Sequence, residues 1–117
     1  MGVMKHNNDF KYDLVVGELK ESELSDILSN SKIEIKYDLM AHKTGNVFVE
    51  YESRGKPSGI SKTQSDFYCF AISRSFVFIS LSDLKDRCRR YIGTNRDVRG
   101  GDSNTSKGIL LPIKDLI

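Results

Sequence analysis

A chain of 117 residues with 38% apolar and 29% charged residues has the composition of one globular domain, which excludes an intrinsically disordered protein. No apolar run approaches the roughly 20 residues that a membrane-spanning helix requires, and the first residues lack a signal-peptide pattern. We therefore expect one domain over 1–117 with a loose N-terminus at 1–9, no membrane partner and a cytoplasmic location. The formal net charge of +2 alone indicates no class of partner.

The two cysteines are too few for a disulfide framework. Cys69 lies in the apolar run DFYCFAI and predicts a buried thiol. Cys88 lies among arginines, a setting that can lower the pKa of a thiol. Because no histidine is near it in the sequence, a catalytic thiol is not favoured.

The first predicted elements are a short strand or extended lead-in at 10–16 and a helix at 17–29. The helix prediction rests on apolar side chains that recur on one helical face while the other positions are polar. These side chains are Leu19, Leu24, Ile27 and Leu28. The Ser/Asn cluster that follows ends the predicted helix.

Two strands are predicted next, joined by turn residues. Ile33, Ile35 and Tyr37 alternate with charged residues, which is the pattern of a strand. The segment NVFVEYES is rich in β-branched and aromatic residues and predicts a second strand. Because HKTGN between them contains residues that favour turns, we predict an antiparallel hairpin.

The second half of the chain predicts three strands and a helix. DFYCFAI and SFVFIS are two strand patterns joined by a turn at 73–75, and Ser82 is the predicted N-cap of a helix that runs to about Tyr91. Residues 93–107 predict a long loop, and GILLPI predicts a last strand at a sheet edge because it contains Pro112. This order of elements predicts an α+β fold with a mixed β-sheet and flanking helices.

Charged residues are concentrated on the predicted hairpin. Glu34, Lys36 and Asp38 share one face of its first strand, and Glu50 and Glu52 share one face of its second. If the faces match, up to four carboxylates converge, and their repulsion requires a compensating cation. Oxygen ligands favour Mg²⁺, or Mn²⁺, as the cofactor. The alternative is a set of cross-strand salt bridges on a solvated sheet face.

The order of a helical glutamate, a strand aspartate and a strand that ends in a carboxylate pair resembles the PD-(D/E)XK nuclease superfamily. Glu18 in GELKE matches the helical glutamate, Asp38 matches the aspartate of the first core strand, and Glu50 in VFVEYE matches the metal-binding carboxylate. The resemblance covers about 17–80, and the run from Ile33 to Thr63 also resembles small phage-encoded nuclease-like proteins.

One departure from the superfamily leaves two alignments open. Glu52 occupies the place of the superfamily lysine, a variant that some restriction enzymes share, and Lys36 is a candidate substitute. In the second alignment Glu34 and Lys36 are themselves the Glu-x-Lys pair, with Asp13 or Asp26 as the aspartate. The first alignment is preferred because it places the helix before both core strands.

The resemblance implies a restriction-endonuclease-like core and Mg²⁺-dependent hydrolysis of phosphodiester bonds in duplex or branched DNA. The implied metal ligands are Asp38, Glu50 and Glu18. Glu52 and Lys36 complete the implied catalytic set, and Glu34 is the alternative catalytic residue. Because a small chain covers the cleavage site of only one strand, we expect a homodimer.

Basic and hydroxyl side chains in two segments are predicted to contact the DNA backbone. The first segment is the loop RGKPSGISKT, and the second, 85–99, has six basic and two acidic residues. The predicted contacts are Arg54, Lys56, Ser58, Lys62, Arg87, Arg89, Arg90 and Arg96. The alternatives are an ordinary polar loop and a solvated helix face.

Two other functions stay open. The first is a nucleic-acid-binding module that has a nuclease-like fold but no catalytic activity, and DNA binding without metal or cleavage would favour it. The second is a phage interaction protein, which would fail to bind DNA at low salt.

Overall fold

The computed structural model describes residues 13–15 and 21–117. Strand β1 (Asp13–Val15) lies within the segment where a short strand was predicted, and helix α1 (Glu21–Asn30) confirms the helix prediction over its described part. The predicted loose N-terminus at 1–9 and Glu18 lie outside the described residues.

The strands form two four-stranded sheets, so the fold is of mixed α and β type. The mixed sheet has the order β1-β6-β5-β2, and the antiparallel sheet has the order β4-β3-β8-β7. The further strands are β2 (Ile33–Tyr37), β3 (Asn46–Ser53), β4 (Lys56–Pro57), β5 (Phe67–Ile72), β6 (Ser75–Ser80), β7 (Asp97–Gly100) and β8 (Ser106–Pro112). The further helices are α2 (Ala41–Thr44) and α3 (Leu81–Arg89), and 3₁₀ turns lie at Gly59–Ser61, Asp102–Asn104 and Ile113–Leu116.

The predicted hairpin of β2 and β3 is wrong, although both strands exist. Strand β2 pairs in parallel with β5, where Ile35 lies opposite Cys69, whereas β3 pairs with β8, where Val49 lies opposite Ile109. The segment between the two strands forms the short helix α2, which ends at Gly45 with a φ of 76°. This helix separates the two strands and passes the chain from one sheet to the other.

The strands β5 and β6 form the predicted hairpin, and helix α3 follows directly. Its N-cap is Ser80, whose side chain accepts a hydrogen bond of 3.2 Å from the backbone N–H of Asp83. The predicted cap at Ser82 and the predicted end near Tyr91 are therefore each displaced by two residues from the observed cap and helix end. The displacement reflects two serines that offer equivalent capping hydroxyls to sequence reasoning.

The predicted loop at 93–107 is wrong in part, because it contains strand β7. Strand β8 lies between β3 and β7, so its predicted place at a sheet edge is also wrong. Pro112 is tolerated in this central strand because it is the last residue of β8, opposite Asn46, where the ladder ends.

A hydrophobic core joins both sheets to helix α3. Val47 and Leu111 come from the antiparallel sheet, Phe70 comes from the mixed sheet, and Leu84 comes from α3, each with at most 2% of its surface exposed. Packing of this kind fixes the relative positions of the two sheets, and hence of side chains on β2 and β3 that face each other. No helix in the described part of the chain is long and apolar enough to cross a membrane.

Candidate functional site

An open polar pocket of about 300 Å³, the outer pocket, lies where β2 approaches β3. One wall comes from the mixed sheet, another from the antiparallel sheet, and the third from the segment that follows β4. Its lining residues are Glu34, Lys36, Glu50, Gly59, Lys62 and Thr63. Carboxylates and ammonium groups thus come together from sheets that share no strand.

Glu34 is held on both of its carboxylate oxygens. The Thr63 hydroxyl donates a hydrogen bond of 2.7 Å to Oε1, and Lys36 Nζ lies 2.5 Å from Oε2. Partial burial raises the pKa of Glu34, but the hydrogen bonds from Lys36 and Thr63 outweigh burial, so this pKa lies below its ordinary value. The carboxylate is therefore charged and already oriented.

Glu50 is oriented by the loop that follows strand β4. The hydroxyl of Ser58 donates a hydrogen bond of 2.8 Å to Glu50 Oε2, and the backbone N–H of Ser58 donates to the Tyr51 carbonyl at 3.1 Å. The next residue, Gly59, lies directly against the Glu50 backbone. Ser58, one of the predicted DNA contacts, thus has an internal partner.

A second pocket of about 230 Å³, the inner pocket, adjoins the outer one and shares Lys36, Glu50 and Gly59 with it. Tyr68 lines this pocket and is 2% exposed, and Lys36 Nζ lies 5.7 Å from the centroid of its ring. Burial, with the charge of Glu34 next in importance, raises the pKa of Tyr68 to about 12. The phenol therefore keeps its proton at neutral pH and can donate a hydrogen bond.

Asp38 and Glu52 do not line either of these pockets. Asp38 accepts hydrogen bonds from the backbone N–H groups of Met40, at 3.0 Å, and Phe48, at 3.4 Å, and so connects the turn before α2 to strand β3. Glu52 lies 3.8 Å from Lys107 Nζ on the neighbouring strand. The register shift between Glu50 and Glu52 interrupts the alternation from which a shared face was predicted.

The remaining carboxylate candidates precede strand β2 in the sequence. Glu18 lies outside the described residues, and of Asp13 only the backbone, in β1, is described. Asp26 is exposed on α1 and accepts a hydrogen bond of 2.6 Å from Asn30. Across the described side chains, no group of three or more His, Cys, Asp and Glu residues is placed to hold a metal ion.

The donor set of the outer pocket nevertheless fits one kind of metal site. Mg²⁺ in nucleotide-processing enzymes commonly takes only one or two protein carboxylates and completes its octahedral shell with water and substrate phosphate. Glu34 and Glu50 are two such carboxylates around one open pocket. They are the residues that would hold the ion.

The predicted DNA contacts near the pocket are exposed. Arg54, with a φ of 51°, and Lys56 are exposed around the turn that joins β3 to β4. Lys62 is exposed and lines the outer pocket. Of these three exposed cations, Lys62 lines the outer pocket, whereas Arg54 and Lys56 line neither the outer nor the inner pocket.

The four arginines beyond residue 85 that were predicted to contact DNA divide into two groups. Arg87 donates a hydrogen bond of 2.8 Å to the Asp115 carbonyl, and Arg96 donates to Asn46 Oδ1 at 2.8 Å, so both are structural. Arg89 lies 2.5 Å from Asp86 in an exposed ion pair, and Arg90 is exposed. Only the second group presents its guanidinium groups to solvent.

A third pocket, of about 310 Å³, lies between the 3₁₀ turn at Gly59–Ser61 and helix α3, and most of its lining residues are apolar. Ser61 at the end of the 3₁₀ turn lines it together with Lys85 and Arg89 of α3. Ser61 is followed in the chain by Lys62, which lines the outer pocket. The sequence prediction did not single out Lys85 from the other basic residues, because charge alone does not indicate which face of a helix borders a loop.

Neither cysteine is an activated nucleophile. Cys69 and Cys88 are free thiols with 3% and 6% of their surfaces exposed. Burial raises the pKa of Cys69 to about 11 and that of Cys88 to about 12. The buried Cys69 thiol was predicted, and the arginines around Cys88 do not lower its pKa.

Comparison with known proteins identifies no relative. No family model matches the chain, and neither a curated protein nor a solved structure matches it. The resemblance to PD-(D/E)XK nucleases therefore stays a prediction, and the chemistry of the pocket is the basis for a functional proposal.

Proposed function

We propose that this chain is a Mg²⁺-dependent nuclease that hydrolyses phosphodiester bonds in DNA. The observation that carries the proposal is the convergence of Glu34, Lys36 and Glu50, from two different sheets, on one open pocket. Phosphodiester hydrolysis uses oxygen ligands for a hard cation and positive groups for the phosphate oxygens. The outer pocket offers both within one concave surface.

The two carboxylates are oriented by different hydroxyl groups and are assigned the same role. Glu50, oriented by Ser58, and Glu34, oriented by Thr63, would hold the ion. When bound, Mg²⁺ supplies a Lewis acid and lowers the pKa of a water ligand. Because both carboxylates are already fixed by short hydroxyl side chains, little ordering is needed when the ion binds.

The two lysines of the outer pocket, Lys36 and Lys62, are proposed to bind the phosphate oxygens of the DNA phosphodiester. In the free protein Lys36 neutralises Glu34 at 2.5 Å. Its flexible four-carbon stem lets the ammonium turn toward a phosphate oxygen in the complex. Lys62, from the segment that follows β4, lines the same pocket and would supply a second cation to the phosphodiester. In this assignment Glu34 and Lys36 form the Glu-x-Lys pair of the second alignment.

The exposed cations Arg54, Lys56 and Arg89 and the half-buried Lys85 are proposed to add further contacts with the DNA backbone beyond the outer pocket. Contacts with the DNA backbone through such residues are independent of sequence and weaken steeply as salt increases. We accordingly propose that binding is backbone-directed. A homodimer, which would cut both strands of a duplex or junction, is part of the proposal.

A second candidate is a DNA-binding module without catalysis. It is favoured by the absence, among the described side chains, of any group of three potential metal ligands. It is also favoured by the ion pair that occupies Glu34 in the free protein. This candidate predicts DNA binding that does not depend on metal and is not followed by cleavage.

The test is cleavage of a supercoiled plasmid and of a four-way junction with Mg²⁺, with Mn²⁺ and with EDTA. Wild type is compared with Glu34→Gln and Glu50→Gln, and Glu23→Gln on the exposed face of α1 is the matched control. We expect cleavage that requires metal, is reduced at least about tenfold in both pocket variants and is retained in the control. Cleavage by both pocket variants at the wild-type rate would refute the proposed site, and binding without cleavage by wild type would establish the second candidate.

A further inference from the structure

The hydroxyl of Tyr68 is buried, and no hydrogen bond of ordinary geometry reaches it, although the Thr63 hydroxyl lies close enough to lower the pKa of Tyr68 in part. Among the described side chains it is the single buried nitrogen or oxygen atom in this condition. Tyr68 lies on β5, opposite Ile79 of β6 and Glu34 of β2, and its ring packs near Phe70 at a centroid distance of 5.9 Å. The ring thus belongs to the core while the residue also lines the inner pocket.

An unsatisfied buried hydroxyl destabilises a folded protein because the group gives up its hydrogen bonds to water and gains none in return. A phenylalanine at this position would preserve the packing of the ring without that cost. A buried hydroxyl without a hydrogen bond therefore needs an explanation in a native fold. One explanation is a ligand that supplies the missing hydrogen-bond partner.

The surroundings of the hydroxyl indicate the chemistry of that ligand. The inner pocket adjoins the outer pocket through Lys36 and Glu50, and Lys36 Nζ lies over the Tyr68 ring at 5.7 Å. Glu34 lies opposite Tyr68 in the register of β2 and β5, and Glu50 lines the inner pocket with it, so that the charges of both carboxylates raise the pKa of Tyr68. A neutral donor next to an ammonium group suits an oxygen anion such as phosphate.

We propose that the Tyr68 hydroxyl is a substrate-binding donor that hydrogen-bonds a non-bridging phosphate oxygen of DNA held between the outer and inner pockets. This assignment rests on the proposed function and deepens it, because it adds a neutral donor to the two lysines. Tyr68 then fixes the depth of the phosphate in the site, whereas Lys36 and Lys62 supply charge.

The experiment compares Tyr68→Phe with wild type and with Tyr37→Phe, a matched control whose parent side chain is 70% exposed on β2. Three quantities are measured: the melting temperature, the affinity for a short fluorescein-labelled DNA in EDTA by anisotropy, and plasmid cleavage with Mg²⁺. Inorganic phosphate is a second probe, through the increase in melting temperature that it produces in each protein.

We expect Tyr68→Phe to melt at the wild-type temperature or above, to bind DNA roughly tenfold more weakly and to lose the stabilisation by phosphate. Tyr37→Phe should match wild type in every measurement. A lower melting temperature for Tyr68→Phe would reveal an internal partner of the hydroxyl, and unchanged affinity for DNA and phosphate would show that it serves at most a water molecule. Either result overturns the assignment.

The same measurements separate this assignment from the nuclease proposal. If wild type binds DNA and cleaves none, the nuclease proposal fails, yet a selective loss of affinity in Tyr68→Phe still supports the phosphate contact. If wild type cleaves DNA and Tyr68→Phe binds and cleaves equally well, the nuclease proposal stands and the role of Tyr68 is refuted. If wild type binds neither DNA nor phosphate, both proposals fail.

Discussion

Gly59 lies so close to Glu50 that a Cβ added to the glycine would be 2.2 Å from the Glu50 carbonyl oxygen. Its φ of +51° is also in the region that side chains disfavour. Together with the hydrogen bond from Ser58 to the Glu50 carboxylate, this contact holds the 3₁₀ turn against β3 where the carboxylate leaves the strand. The turn is thus part of the site and not a separate surface loop.

Gly59→Ala should lower the free energy of unfolding by about 2–3 kcal/mol, because the methyl group meets backbone that cannot move aside. Gly55→Ala is the matched control, since Gly55 has a φ of +77° and open space around its Cα. The control should lose only about 1 kcal/mol, from the strained φ alone. Urea unfolding of both variants measures the difference, and equal losses would contradict a steric contact between Gly59 and Glu50.

The two alignments of the sequence with the nuclease superfamily make opposite predictions for Asp38 and Glu34. Asp38→Ala should lower the free energy of unfolding by about 1–2 kcal/mol, because it leaves the N–H groups of Met40 and Phe48 without their acceptor. It should retain cleavage at a temperature where it is folded. Glu34→Gln should reduce cleavage about tenfold to a hundredfold with little change in stability.

Cleavage rates and urea midpoints, measured for Asp38→Ala and Glu34→Gln on the same protein preparations, decide between the two alignments. A folded Asp38→Ala protein without activity, alongside an active Glu34→Gln protein, would establish the first alignment and reject the pocket assignment.

Local sequence patterns predicted most strands but not their partners. The apolar runs of β5 and β6 and the short turn between them specify a hairpin, because the residues involved are adjacent in the chain. The parallel pairing of β2 with β5 joins Ile35 to Cys69 across a long stretch of sequence, and no local pattern encodes it. Alternation assigns a side chain to a face, whereas the partner strand is chosen by packing of the whole core.

The candidate site shows the same division. Glu34 and Lys36 lie on one strand face because they are two positions apart, and sequence reasoning placed them together. Their approach to Glu50 depends on how two sheets pack, which the sequence does not display. Tyr68 belongs to the apolar strand pattern DFYCFAI, which does not distinguish it from its neighbours, and only the tertiary structure reveals that no hydrogen bond of ordinary geometry reaches its hydroxyl.

The stability of the protein should depend on pH through Asp97. The backbone N–H of Gly93 and then the Tyr51 hydroxyl donate hydrogen bonds to Asp97 and hold its pKa below the ordinary value. Because the folded pKa is the lower one, the stabilisation is present above the unfolded pKa, near 3.9, and is lost as pH falls through the folded pKa. Wild type should therefore exceed Asp97→Asn in stability at pH 7, with the difference shrinking in acid.

Thermal unfolding of both proteins between pH 7 and pH 2.5 measures this difference. In a Tyr51→Phe background the difference should be smaller at pH 7, since one of the two donors is missing. A difference that stays constant with pH would show that the Asp97 carboxylate has the same pKa in the folded and unfolded states.

Two of the predicted DNA contacts, Lys62 and Arg96, should differ when each is replaced by alanine. The Lys62 variant should change DNA binding, and the Arg96 variant should change stability. Lys62→Ala should leave the unfolding free energy within about 0.5 kcal/mol of wild type, because Lys62 is exposed. If Lys62 contacts one phosphate, the variant should also reduce the slope of log affinity against log salt by about one. Arg96→Ala should instead cost about 1–2 kcal/mol of stability, because Arg96 donates to Asn46 and to the Leu110 carbonyl.

Anisotropy titrations at several salt concentrations, performed well below the melting temperature of each variant, measure the slope. For Arg96→Ala it should equal the wild-type slope, since a guanidinium that ties β8 to β3 is not available to a phosphate. A reduced slope for Arg96→Ala with wild-type stability would reverse the assignment and move the DNA-binding surface toward β7.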